Sequence, residues 1–222
     1  MGKLFNLDSP ILRALGTLAD LCILNIITLI GCLPIITAGA SITAMHYVLL
    51  KMVRNQDGYV WKDYWKSFKE NFWQGTAVGS VLLIFVAFFL IDCYIFKGLV
   101  ENISVPLLAV AGAFALFLYM IYLYAFPLLS HFHNTVPGTL KNAFFVGIMA
   151  FPQTVLMMIV TALPIILLYQ YTQILPLVLM YGFTAPGYFC AWLYSRIFKR
   201  LEPKAAESEE ECAKNALEEE ME

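Results

Sequence analysis

Long apolar runs are the feature of this chain that most limits its fold. Residues 103–129 hold no charged side chain, 73–96 hold only Asp92, and 143–197 hold only Arg196. An α-helix needs about 20 predominantly apolar residues to cross the hydrocarbon core of a bilayer. The sequence therefore predicts an all-α, polytopic helical membrane protein, which excludes most classes of soluble enzyme.

The overall composition agrees with this fold class. Hydrophobic residues make up 60% of the 222 residues and charged residues only 14%, whereas a soluble domain carries about 25% charged residues. Acidic residues are concentrated after Pro203, where eight glutamates face two lysines. We therefore divide the chain into a transmembrane helical domain, 1–203, and an acidic cytoplasmic tail, 204–222, which we expect to be disordered or partly helical.

The apolar pattern predicts six spans, five strong and one short. They are 15–36, 40–53, 75–96, 105–129, 144–168 and 174–197. Pro34 and Gly39 mark a helix break between the first two, because proline lacks a backbone donor and glycine tolerates unusual dihedrals.

The second predicted span is short and polar. It contains Ser41, Thr43 and His46, so we expect this segment to pack among other helices. It fits either a short crossing or a re-entrant element.

Charge asymmetry predicts the orientation. The segment 51–69 carries five lysine and arginine residues, and more follow Ser195. Both regions are expected in the cytoplasm by the positive-inside rule. Six spans place both termini inside, whereas five would leave the N-terminus outside. We favour six.

Residues 59–74 predict an amphipathic helix on the cytoplasmic side. At 100° per residue, the aromatic residues lie on one face of this helix and the lysines lie on the neighbouring face. Two acidic residues lie on the other side of the lysines. These sets are Trp61, Trp65, Phe68 and Phe72; Lys62, Lys66 and Lys69; and Asp63 and Glu70. Such a helix suits the lipid headgroup region, and it also suits docking of a cytoplasmic partner; the two interpretations are compatible.

Few other residues suggest chemistry. Asp20 and Asp92 are the acids predicted within or beside spans, and an intramembrane carboxylate is a functional candidate because its burial is costly. His131 and His133 lack a neighbouring acid or cysteine, so we predict no metal site. Since no nucleotide-binding or hydrolase motif is present, we predict no cofactor, no enzymatic activity and no nucleic-acid partner.

An ordered series of motifs resembles the YesL-like family of small bacterial integral membrane proteins, a domain of unknown function. The motifs are LPIITAGASITAMHYVLLKMVRNQDGY (33–59), WKSFKENF (65–72), FPLLSHFHNT (126–135), LKNA (140–143) and YSRIF (194–198). The resemblance covers residues 1–203. It implies a protein often encoded beside carbohydrate ABC importers and glycan-degrading enzymes, and it implies no known catalytic residue.

These observations lead to a functional hypothesis. We expect a multi-pass protein of the bacterial cytoplasmic membrane that is a non-catalytic accessory component of carbohydrate uptake. Its expected partners are the lipid bilayer and the membrane subunits of an ABC-type sugar importer. The alternative is an autonomous transporter or channel for a small solute, which should show discontinuous helices and a polar path.

Overall fold

A computed structural model describes residues 10–56, 58–99, 105–132 and 135–200. Within these ranges the chain forms α-helices and short 3-10 turns, with no β-strand. The helices are α1 (Pro10–Cys32), α2 (Ala38–Val53), α3 (Val60–Glu70), α4 (Phe72–Leu99), α5 (Val105–His131), α6 (Val136–Met149), α7 (Phe151–Gln170), α8 (Leu175–Tyr181) and α9 (Thr184–Arg200). The acidic tail 204–222 lies outside the described residues.

Five segments within the described ranges are long and apolar enough to cross a membrane. They are Leu12–Cys32, Ile35–Val53, Phe72–Ile91, Ala109–His131 and Phe151–Gln170. A sixth is a broken pair, Thr172–Tyr181 and Thr184–Arg200, whose halves meet at an angle of 51°. The predicted class of all-α, multi-pass membrane protein is confirmed, with five or six spans.

The irregular spans differ from those predicted. The second predicted span was expected to be short. The segment Ile35–Val53, which is α2 with the preceding 3-10 turn, is long and apolar enough to cross a membrane. The continuous helix expected at 174–197 is instead bent between α8 and α9. The helix expected at 144–168 is interrupted at Ala150, because Pro152 occupies the first turn of a new helix, α7.

A buried threonine satisfies the backbone at the α6–α7 break. The Thr154 hydroxyl donates to the carbonyl oxygens of Gly147 (2.9 Å) and Ala150 (3.0 Å), while Tyr124 of α5 lies 3.0 Å from the same hydroxyl. Both side chains are buried. The interruption is therefore hydrogen-bonded from within the bundle, as an apolar environment requires.

The core of the bundle surrounds α2. Half of the residues in the span Ile35–Val53 are buried, against 11% in Phe151–Gln170. Leu49 of α2, Leu24 of α1 and Tyr194 of α9 are completely buried. The most polar of the predicted spans is thus the one that other helices cover, which explains how its hydroxyl groups are tolerated.

Glycine allows α2 and α4 to touch backbone to backbone. A Cβ atom at Gly39 would collide with the carbonyl oxygen of Gly75 and lie 3.0 Å from Cα of Gly79, and one at Gly75 would lie 2.8 Å from Cα of Ala40. Gly75 and Gly79 form the small-xxx-small spacing typical of close helix crossings in membranes. We expected Gly39 to serve the turn after Pro34; its tightest contacts are instead with α4.

We predict that Gly39→Ala lowers stability by about 1–3 kcal/mol, because the added methyl forces two backbones apart. The matched control is Gly112→Ala, since nothing lies within 4 Å of a Cβ built at Gly112. Thermal unfolding of the purified protein in one detergent measures both variants. Equal unfolding midpoints for Gly39→Ala and the parent would show that the crossing of α2 and α4 accommodates a methyl group.

Candidate functional site on α3 and the cleft beside it

The helix α3 is fixed to the bundle by a narrow face. Val60, Tyr64 and Ser67 are buried, and their spacing of four and three residues places them on one side of the helix. They differ from the aromatic residues that the sequence singled out. The tryptophans and lysines of α3 are therefore left on its outer surface.

Tyr64 is the central anchor of this face. Its hydroxyl lies 2.8 Å from Oγ of Ser41, which itself donates to the carbonyl oxygen of Thr28 at 2.9 Å. Because the serine proton is used on Thr28, Tyr64 is the donor to Ser41. Burial raises the pKa of the Tyr64 phenol to about 12, so the donor proton stays in place at neutral pH. The resulting chain of hydrogen bonds joins α3, α2 and α1.

The contacts also fix the direction of α3. Lys51 near the end of α2 pairs with Asp63 at 2.9 Å, Ser41 ten residues earlier meets Tyr64, and the start of α2 meets Gly75 just beyond α3. As the chain advances through α3, its partners on α2 move backwards. Hence α3 packs beside α2 in the opposite direction, with its first turn near the end of α2 and the chain beyond it near the start of α2.

The predicted aromatic stripe forms a continuous series of ring contacts, here called the aromatic ladder. Its members are the four predicted residues, Trp61, Trp65, Phe68 and Phe72, and in addition Trp73, which was not predicted. Successive ring centroids are 5.7, 5.3, 5.6 and 5.9 Å apart, at steep interplanar angles. Trp61 is 57% exposed and Trp73 83% exposed. The ladder crosses from α3 to α4, because α3 ends at Glu70 and Phe72 already belongs to α4.

The charged residues of α3 divide into two groups. Lys62, Lys66, Lys69 and Glu70 are exposed. Lys62 also lies 5.1 Å from the ring centroid of Tyr59. Asp63, which the sequence placed among the candidate docking residues, instead faces inward to Lys51. The outer surface of α3 therefore presents three ammonium groups and one carboxylate beside the aromatic ladder.

A polar cleft opens beside the Lys51–Asp63 ion pair, with a volume of about 210 Å³. It lies between α1, α2, α3 and the loop that joins α2 to α3. Its lining residues are Thr17, Asp20, Val48, Lys51, Met52, Gln56, Gly58, Val60 and Asp63. A Cβ atom at Gly58 would collide with Oδ2 of Asp63, so a larger residue there would displace this carboxylate.

The other polar candidates have separate surroundings. Ser41 and Thr43 are completely buried, and the Thr43 hydroxyl donates to the Gly39 carbonyl at 2.8 Å. Nδ1 of His46 lies 3.2 Å from the hydroxyl of Tyr194 on α9. Asp92 belongs to α4, but its side chain lies outside the described residues. The structure thus brings Asp20 and Asp63 to one cleft and disperses the remaining candidates.

Asn25 is a functional candidate that the sequence reasoning missed. This completely buried amide of α1 donates to the Leu179 carbonyl at 2.8 Å and accepts from the N–H groups of Phe183 and Thr184, both at 3.1 Å. The Thr184 hydroxyl returns a bond to the Leu21 carbonyl at 3.0 Å. One side chain therefore satisfies the backbone on both sides of the α8–α9 break.

The described residues contain no group of three or more His, Cys, Asp or Glu side chains placed to hold a metal ion. The ring of His131 stacks on Phe198 with centroids 5.8 Å apart, and His133 lies outside the described residues.

The site lies mostly in one segment of the chain, because the ladder, α2 and α3 fall between α1 and the middle of α4. Residues 21–93 match the family described as "Protein of unknown function, DUF624". The predicted resemblance to the YesL-like family is consistent with this match and is confirmed over residues 21–93, whereas its extension over the rest of 1–203 stays a prediction. The DUF624 segment includes the glycine crossing, the ladder and most of the cleft. No curated protein and no solved structure matches the chain.

We predict that Asn25→Leu destabilises the fold, since it leaves two N–H groups and one carbonyl without partners at about 1–3 kcal/mol for each buried group. Asn142→Leu is the control, because Asn142 is exposed on α6. Thermal unfolding in detergent compares the two. A parent-like midpoint for Asn25→Leu would mean that water or backbone rearrangement replaces the amide.

Proposed function

We propose that this multi-pass membrane protein is a non-catalytic accessory subunit of a carbohydrate ABC importer and docks through the outer surface of α3. The observation that carries the docking surface is the position of α3. It lies along α2, a segment apolar enough to span a membrane, while exposing three lysines and Glu70. The importer itself is suggested by the genomic setting that the YesL-like resemblance implies.

Lipid is a poor occupant for this surface. Anionic lipid can pair with the three lysines, but it repels the Glu70 carboxylate beside them, whereas a protein partner can pair with both signs of charge. Aromatic residues, by contrast, are enriched at the centres of protein interfaces. A partner with acidic and apolar groups would satisfy both the lysines and the aromatic ladder, which supports docking over simple anchoring.

We predict that Lys62→Glu/Lys66→Glu/Lys69→Glu reduces recovery of the importer's membrane subunits about tenfold, equivalent to about 1.4 kcal/mol. These lysines are exposed, so the abundance and melting of the variant should match the parent. Lys141→Glu on α6 is the control for reversing the charge of one exposed lysine elsewhere on the protein. Co-purification in mild detergent at native expression, together with growth on the cognate glycan, gives the readout.

Glu70→Lys separates a protein partner from lipid. An added positive charge strengthens attraction to anionic lipid, whereas it removes a carboxylate that a protein partner can recognise. Docking therefore predicts weaker co-purification for Glu70→Lys, and lipid anchoring alone predicts no loss. Asp63 is unsuitable for this test, because its replacement breaks the internal pair with Lys51.

A second candidate function is an autonomous transporter for a small solute. The α8–α9 break favours it, since discontinuous helices form binding sites in many transporters. Reconstitution of the purified chain alone distinguishes the two functions. Solute flux into vesicles without any importer subunit would support the transporter and overturn the accessory role.

We further propose the bacterial cytoplasmic membrane as the location, with both termini in the cytoplasm. Single cysteines at Asn6, Asn55 and Ser208 in a cysteine-free background should all resist a membrane-impermeant thiol reagent in intact cells. The positive charges of 51–69 and the segment after Ser195 give the reason. Labelling at Asn6 alone would require an odd number of crossings.

A further inference from the structure

The polar cleft beside α3 contains a carboxylate without a partner. Asp20 has neither a hydrogen bond nor an ion pair among the described residues, although it lies within the apolar span Leu12–Cys32 and is only partly exposed. Lys51, the cation among the lining residues, already forms an ion pair with Asp63, with Nζ 2.9 Å from Oδ2. The Asp20 carboxylate is therefore available to a ligand that enters the cleft.

The charges of the cleft decide the sign of a ligand. Among the described lining residues, two carboxylates and one ammonium group give a formal charge of −1, so an anion such as phosphate is disfavoured. The described residues offer no third acidic or histidine ligand for a divalent metal. The Gln56 amide oxygen and the Thr17 hydroxyl add hydrogen-bond acceptors, which suit a cation that carries N–H donors.

The size of the cleft limits the ligand further. A volume of about 210 Å³ holds several water molecules or a compact organic cation of a few non-hydrogen atoms. Val48, Met52 and Val60 supply an apolar wall on which a short alkyl group can pack. The lining therefore combines a negative end with an apolar side.

We propose that this cleft is a binding site for a small protonated amine, whose ammonium group donates to Asp20 and whose alkyl part packs against the apolar wall. The ligand would link α1 to the α2–α3 pair and would stabilise the fold on binding. This site is separate from the outer surface of α3, so it does not depend on an importer partner.

The test uses the purified full-length chain in detergent and compares methylammonium, butylammonium, tetramethylammonium and potassium chlorides at equal ionic strength. Methylammonium and butylammonium should raise the unfolding midpoint by about 2–4 °C near saturation. Tetramethylammonium and potassium have no N–H donor, so neither should raise the unfolding midpoint. Equal midpoints in all four salts would overturn the proposal without any variant.

Variants then locate the site. Asp20→Asn should abolish the rise, whereas Glu70→Gln, which removes an exposed carboxylate outside the cleft, should retain it. A rise that survives Asp20→Asn would refute binding at this carboxylate. A rise with potassium equal to that with methylammonium would assign the cleft to an inorganic cation and would also refute the amine site.

Discussion

The need to hydrogen-bond every backbone group at a helix break governs this bundle. An apolar environment offers no water to replace lost helical bonds, so each interruption requires a polar partner within the protein. Asn25 supplies one at the α8–α9 break, and Thr154 with Tyr124 supplies another between α6 and α7. The positions of α8 and α9 relative to α1 follow from where that one amide lies.

The same logic explains why a polar helix can lie against α2. Ser41 and Tyr64 satisfy each other, and Lys51 and Asp63 neutralise each other, so the contact between α2 and α3 contains both apolar packing and paired polar groups. Among the described residues, the lysines on the outer face of α3 form no ion pair, although Lys62 lies beside the ring of Tyr59. This contrast between paired inner charges and exposed outer charges is the basis of the functional proposal.

Much of the fold was predictable because apolar length alone identifies membrane helices. The aromatic stripe was also predictable, because its spacing of about 100° per residue continues from α3 into the first turn of α4. The inward position of Asp63 was not, because it depends on α3 running lengthwise beside α2, a tertiary arrangement absent from local periodicity. Asn25 carried a readable signal as a lone amide in an apolar run, but its partners lie more than 150 residues away.

The glycine crossing has a mechanical consequence. A contact between two backbones contains no side-chain rotamers, so it cannot adapt by small rearrangements as a leucine-packed interface can. Gly39 and Gly75 therefore act as a stiff pivot at one end of α3, while the Lys51–Asp63 pair holds the other end. A change in the angle between α2 and α4 would therefore have to move whole helices, because no side chain at their contact can absorb it.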